Sequence, residues 1–117
     1  MKYNIEFKGF APQREIQKLI RELITRMEKK TKGFSLDVVF LRLFAEVNSV
    51  RTLYQASITL ELPEKTLATK EERHDLHETI RHAFAEIERQ LEAHKATWRG
   101  EHVWKRRARQ EELHKQR

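Results

Sequence analysis

Cysteine is absent from this 117-residue chain, glycine occurs three times and proline twice. Without cysteine there is no disulfide framework, no thiolate metal site and no thiol nucleophile, which fits a reducing cytoplasm. So few glycines leave no Gly-rich loop to cradle a nucleotide phosphate, and no Gly-x-Ser-x-Gly elbow is present. No catalytic residues and no cofactor are expected. No apolar run approaches the roughly 20 residues that a bilayer span requires. Residues Met1 to Phe10 alternate instead of forming an apolar block, so no signal peptide is expected.

What is abundant is charge. The net charge is +6 and its placement is uneven. From Lys95 to Arg117 there are eight Lys and Arg against three Glu, an excess of +5, so residues 1 to 94 carry only +1. A nearly neutral body with a basic end is the electrostatic footprint of a protein that meets a polyanion. The other reading of such an end is a solubilising tail.

The hydrophobic pattern predicts one compact domain. Tyr3, Ile5 and Phe7 alternate with Lys2, Asn4, Glu6 and Lys8 as in a half-buried strand that Gly9 ends. Pro12 suits the first turn of a helix over residues 12–30, with Ile16, Leu19, Ile20, Leu23, Ile24 and Met27 as its apolar stripe. Lys29, Lys30 and Lys32 complement the end of its dipole, and Gly33 is the stop signal. A second strand runs from Leu36 to Val47. One register points Val39, Leu41 and Leu43 inward, with Arg42 and Glu46 outside, and leaves Phe40 and Phe44 on an open face, free to stack on bases or meet a partner. The other, preferred for the phenylalanines themselves, makes them core. Asn48 and Ser49 mark a turn. Tyr54, Ala56, Ile58, Leu60 and Leu62 make the cleanest strand, and Lys65 to Lys70 a short fourth one after Pro63 and Glu64. Asp75 is placed to cap a second helix from about 75 to 96 whose stripe is Leu76, Ile80, Ala83, Phe84, Ile87 and Leu91. Arg81, Arg89 and Lys95 are expected to point outward.

The fold class is therefore α+β, β-α-β-β-β-α: a four-stranded, mainly antiparallel sheet with two helices packed on one face. Residues 1–95 form the domain, and 96–117 a basic, Trp-containing C-terminal tail, either a helix extension or disordered.

The residues that carry this pattern resemble the family of ribosome hibernation-promoting factor and ribosome-associated inhibitor A, in its short form. Tyr3-Asn4-Ile5 open the first strand, and Ile16, Leu19, Ile20, Ile24, Met27 and Glu28 fall at family spacing. Leu67, Asp75-Leu76, Ile80, Arg89-Gln90-Leu91 and His94-Lys95 follow the family's strand-to-helix pattern, so the similarity spans residues 2–95. Departures are Gln17 and Leu23 at usually basic positions, and His77 at a usually aromatic one. The resemblance implies a fold akin to double-stranded RNA-binding domains. It also implies binding to ribosomal RNA of the small subunit in the channel of mRNA and tRNA, with no enzymatic activity.

Arg26, Arg89 and Lys95 are the RNA-binding residues that the resemblance carries over. Arg14, Lys18, Arg21 and Arg81 join them from the helix pattern, and Arg99, Lys105, Arg106, Arg107 and Arg109 from the tail. Along a solvated helix, Arg81 and Arg89 have an alternative occupation, pairing with Glu78, Glu86, Glu88 and Glu92. Trp98 and Trp104 can stack on unpaired bases, or Trp98 can pack back on the domain. His74, His77 and His82 near Glu78 do not make the four well-placed ligands of a closed zinc site, so no metal is expected. Glu71 and Glu72 read as loop charge. Neither a membrane nor a small-molecule substrate is expected as partner, and the oligomeric state is left open. Two other readings remain: a general RNA-binding module of the same fold, and a protein-interaction module that dimerises through its open sheet face.

Overall fold

In the computed structural model the described residues are 1–34 and 38–115, with side chains through Thr97. The elements are β1 (Lys2–Lys8), α1 (Arg14–Lys30), β2 (Phe40–Asn48), β3 (Leu53–Glu61), β4 (Thr66–Arg73) and α2 (Leu76–Lys115). The strands lie in the order β1-β2-β3-β4. β1 pairs parallel to β2 and the other two pairs are antiparallel. A parallel pair of neighbours needs a crossover, and α1 supplies it.

Alternation decides which side of the sheet is covered. Val39, Leu41, Leu43, Ala56, Ile58, Leu60 and Leu67 are buried beneath the helices. α1 adds Ile16, Ile20, Ile24 and Met27 to this core, and α2 adds Ile80, Ala83, Phe84, Ile87 and Leu91. Residues at such spacing line one side of a helix, so each helix has one stripe to bury and the sheet has one face to receive it. Tyr3, by contrast, is exposed at the β1 edge.

The two helices run side by side in the same direction. Gln13 and Ile16 share a cavity with Asp75 and Leu76 at one end, while Phe34 stacks on His94 at the other, ring centroids 6.3 Å apart. Edge-on contacts from Phe7 to Phe10 and from Phe10 to Tyr54 close the first end.

Several boundaries differ from the expected ones. α1 starts after Pro12: Gln13 is its N-cap without a side-chain bond, and Gln17 Nε2 donates to the Pro12 carbonyl at 3.1 Å. Thr31 closes α1, two residues before Gly33. Its N–H and its hydroxyl both donate to the Met27 carbonyl at 3.0 Å, and the side chain is fully buried. β2 begins at Phe40, not Leu36; Leu36 lies outside the described residues. Its register is the one with Leu41 and Leu43 inward. Phe40 and Phe44 are half-buried on the open face and are not core. The guanidinium of Arg42 covers the Phe40 ring at 4.9 Å, shielding an aromatic that would otherwise favour the interior. β4 continues three residues beyond Lys70, to Arg73. Glu71 and Glu72 are thus strand residues on opposite faces, not loop charge, opposite Ala56 and Gln55.

Two turns carry visible chemistry. Asn48 Oδ1 accepts from the N–H groups of Val50 and Arg51 at 3.2 Å, which leads to Thr52 in the left-handed region at φ 54°. Gly9 has φ 87°, and a Cβ there would stand 3.0 Å from Val47 Cγ1, so glycine meets both demands.

α2 is 40 residues long, about 60 Å at the helical rise. Among the described residues Leu91 is the last that is fully buried, and Ala96 and Thr97 are exposed. The helix therefore leaves the sheet near Lys95 and gives the molecule extents of 72 × 24 × 18 Å.

Candidate nucleic-acid interface

Asp75 starts α2 as expected. Its carboxylate accepts from the His77 N–H at 3.0 Å, and its carbonyl accepts the Thr79 N–H at 2.9 Å and the Thr79 hydroxyl at 2.7 Å. With this end fixed, the basic residues of α2 take defined positions, and each of those described meets a carboxylate. Arg89 grips Glu86 with two bonds, Nε to Oε2 at 2.9 Å and Nη2 to Oε1 at 2.6 Å. Gln90 Nε2 adds a third bond to Glu86 Oε1 at 3.2 Å and also donates to the Ala68 carbonyl at 3.1 Å. These bonds, Arg89's first, hold the Glu86 carboxyl at about 2, far below the ordinary range. Reciprocally, Glu86 raises the pKa of Arg89. Arg81 Nη1 lies 3.4 Å from Glu78 Oε1, and His82 lies 3.4 Å from the other oxygen of that carboxylate. His74 turns away and makes its 3.0 Å contact with the Thr52 carbonyl.

Lys95 does not point outward. Its side chain is only 19% exposed and its ammonium is 4.0 Å from Glu92. The reason is in the spacing: Phe84, Glu88, Leu91 and Lys95 continue one stripe at steps of four, three and four. Glu88 shares that stripe and is buried, so it does not belong among the solvated glutamates. Its partners are on α1. Arg26 Nε is 3.1 Å from Glu88 Oε1, at ion-pair distance but without hydrogen-bond alignment, and Lys30 is 3.8 Å from Oε2 and 3.8 Å from Glu92. Arg26 is thus part of a seam between the helices. Lys30, read in the sequence only as a dipole complement, is a member of it; the carboxylate at position 88, one residue from the stripe position Ile87, is the signal that could have found it.

The outer side of α1 is different. Arg14, Lys18 and Arg21 recur at steps of four and three and are all exposed. None of them forms an ion pair with any described residue. They make the free cationic stripe of the described domain. The expected contributions of Trp98, Arg99, Trp104, Lys105, Arg106, Arg107 and Arg109 fall on side chains outside the described residues; the backbone of these positions belongs to α2.

The open face of the sheet balances its charges. By register it carries Lys2, Lys8, Arg42 and Lys70 against Glu6, Glu46, Glu61 and Glu72. Phe40 and Phe44 lie among them beside Ser57 and Thr59 in a shallow depression. A neutral face with no net attraction for phosphates is a poor seat for a nucleic-acid backbone. The two sides of the domain therefore have separate characters, one cationic and helical, the other mixed and flat.

A two-helix layer on a mixed four-stranded sheet, with an exposed cationic stripe on α1, defines the class: a small α+β domain with one cationic helix. The family model of the Sigma 54 modulation protein / S30EA ribosomal protein matches residues 3–99. The chain belongs to that family, the one to which the hibernation-factor resemblance pointed. Among solved structures, a ribosomal subunit interface protein from Coxiella burnetii is similar with a TM-score of 0.65 at 17% identity, over 82% of this chain and 99% of that one. The N-terminal domain of Protein Y from Thermus thermophilus is similar with a TM-score of 0.63 at 16% identity, over 78% and 96%. At these identities the likeness is one of fold. No individual curated protein sequence matches the chain.

Proposed function

We propose that the protein is a non-enzymatic, cytoplasmic translation inhibitor. It binds ribosomal RNA of the small ribosomal subunit and occupies the channel of mRNA and tRNA, holding idle ribosomes inactive under stress. The family match over residues 3–99 carries this reading, and the free stripe Arg14, Lys18 and Arg21 supports it. Phosphates neutralised by these side chains release counterions, so binding falls steeply with salt. Arg26, Arg81, Arg89 and Lys95 act differently: each already holds a carboxylate, so contact with phosphate exchanges one anion for another and contributes less. The basic stretch Lys105 to Arg109 adds positive charge to the chain beyond a domain that ends near residue 95.

The test is co-sedimentation with purified small subunits across a salt series. The wild-type protein is expected to co-migrate at low salt and dissociate as salt rises. The Arg14→Ala/Lys18→Ala/Arg21→Ala variant is expected to bind more weakly, with a salt slope shallower by about 2 to 3, since each phosphate that is no longer neutralised lowers the slope by about one. A wild-type protein that stays at the top of the gradient at low salt would sink the reading.

A further inference from the structure

We propose that the open face of the sheet is a self-association surface, on which a second copy of this chain packs face to face about a two-fold axis parallel to the strands. The argument begins with charge. The same patch meets itself across such an axis, so a patch of one sign repels its copy, whereas a balanced one need not. This face holds four cations and four anions on a protein whose net charge is +6.

The register then selects the axis. One row across the sheet reads Glu6, Phe44, Ser57, Lys70, and the next reads Lys8, Glu46, Gln55, Glu72. A two-fold along the strands, above the boundary of β2 and β3, exchanges β1 with β4 and keeps each row in place. Glu6 of one copy then faces Lys70 of the other, and Lys8 faces Glu72, each pair occurring twice. Phe44 falls opposite Ser57, a large side chain against a small one. No like charges meet. A two-fold across the strands would instead set Lys2 against Lys8 twice. Packed sheets keep their strands within about 30° of each other, an offset that long lysine and glutamate side chains span.

The area sets the strength. Four strands about 4.8 Å apart, each about 25 Å long, present a projected face of about 450 to 500 Å². Even with the relief of its side chains, a face of this size offers no more than about the 800 Å² of accessible surface per partner of a standard stable interface. The expected dimer is weak and depends on concentration. It leaves the outer stripe of α1 uncovered, so it is independent of the ribosome reading.

Sedimentation equilibrium on the full chain over about 10 µM to 1 mM at low salt tests this. The wild-type protein is expected to show a monomer–dimer equilibrium that salt weakens. Glu6→Lys/Lys8→Glu leaves the net charge unchanged but sets like charges face to face, and is expected to raise the dissociation constant at least about tenfold. Adding Lys70→Glu/Glu72→Lys to it restores the opposite pairs and is expected to restore association. All four positions are exposed, and circular dichroism on each variant verifies that the fold is kept. A monomer throughout the range overturns the proposal. So does a dimer that the first pair of substitutions leaves unchanged, or one that the second pair fails to rescue.

Discussion

Glu86 and Arg89 show how local spacing sets the state of a side chain. Three residues apart on one helix, they form a fork of two charge-assisted bonds, with Gln90 as a further donor. Because the folded carboxyl sits at about 2 against an ordinary value of 4.5, its contribution to stability is fully present above 4.5 and is lost as the pH falls through 2. A carbon-detected NMR titration should find the Glu86 midpoint near 2 in the wild-type protein and closer to 4.5 in Arg89→Ala. An unchanged midpoint would mean that the fork does not form in solution. Gly9→Ala is a second test at this scale. A left-handed backbone and a contact at 3.0 Å should together cost about 1 to 2 kcal/mol, measurable by urea denaturation. Single side chains are also where the sequence misleads most. Lys95 looked like one more outward cation because its charge was weighed and its place on the stripe of Leu91 was not. Phe40 and Phe44 were drawn toward the core by their size, yet alternation had already placed Leu41 and Leu43 there.

Elements were more legible than their ends. Strict alternation gave β3 and the inward set of β2, since hydrophobic side chains at every second position leave one register that buries them all. The stripes of α1 and α2 were equally plain. The ends failed where the deciding contact is tertiary. β4 runs through Glu71, Glu72 and Arg73 because β3 offers partners as far as Tyr54, a reason that no local propensity contains. Thr31 ends α1 by returning its hydroxyl to Met27, and glycine, the more familiar signal, was not needed. The start of α2 was read correctly because a capping aspartate is a local device. Asp75→Ala should therefore cost about 0.5 to 2 kcal/mol, seen as a lower urea midpoint with an unchanged slope. The candidate interface was half legible: the stripe of α1 could be read from spacing, but the pairing of Arg26 with a glutamate on another helix could not.

For the molecule as a whole, the core seen among the described residues closes within the first half of α2. Among the described residues full burial stops at Leu91, so a chain ending at Thr97 should keep the same core and unfold within a few degrees of the full-length protein in a thermal melt. It should also bind small subunits more weakly, because it lacks Lys105, Arg106, Arg107 and Arg109. A large fall in melting temperature would show that α2 beyond Thr97 supports the domain, and the division near residue 95 would have to move.

The parallel pairing of β1 with β2 encloses a longer stretch of chain than either antiparallel pair. β2, β3 and β4 are joined by short turns, whereas Lys2 finds its partner at Phe40 only after α1 has crossed over the sheet. Loop-closure entropy grows with the chain enclosed, and non-local pairings form late. β1 is thus expected to be laid into the sheet after the other three strands, and as an edge strand its amides should be among the earliest to exchange with deuterium.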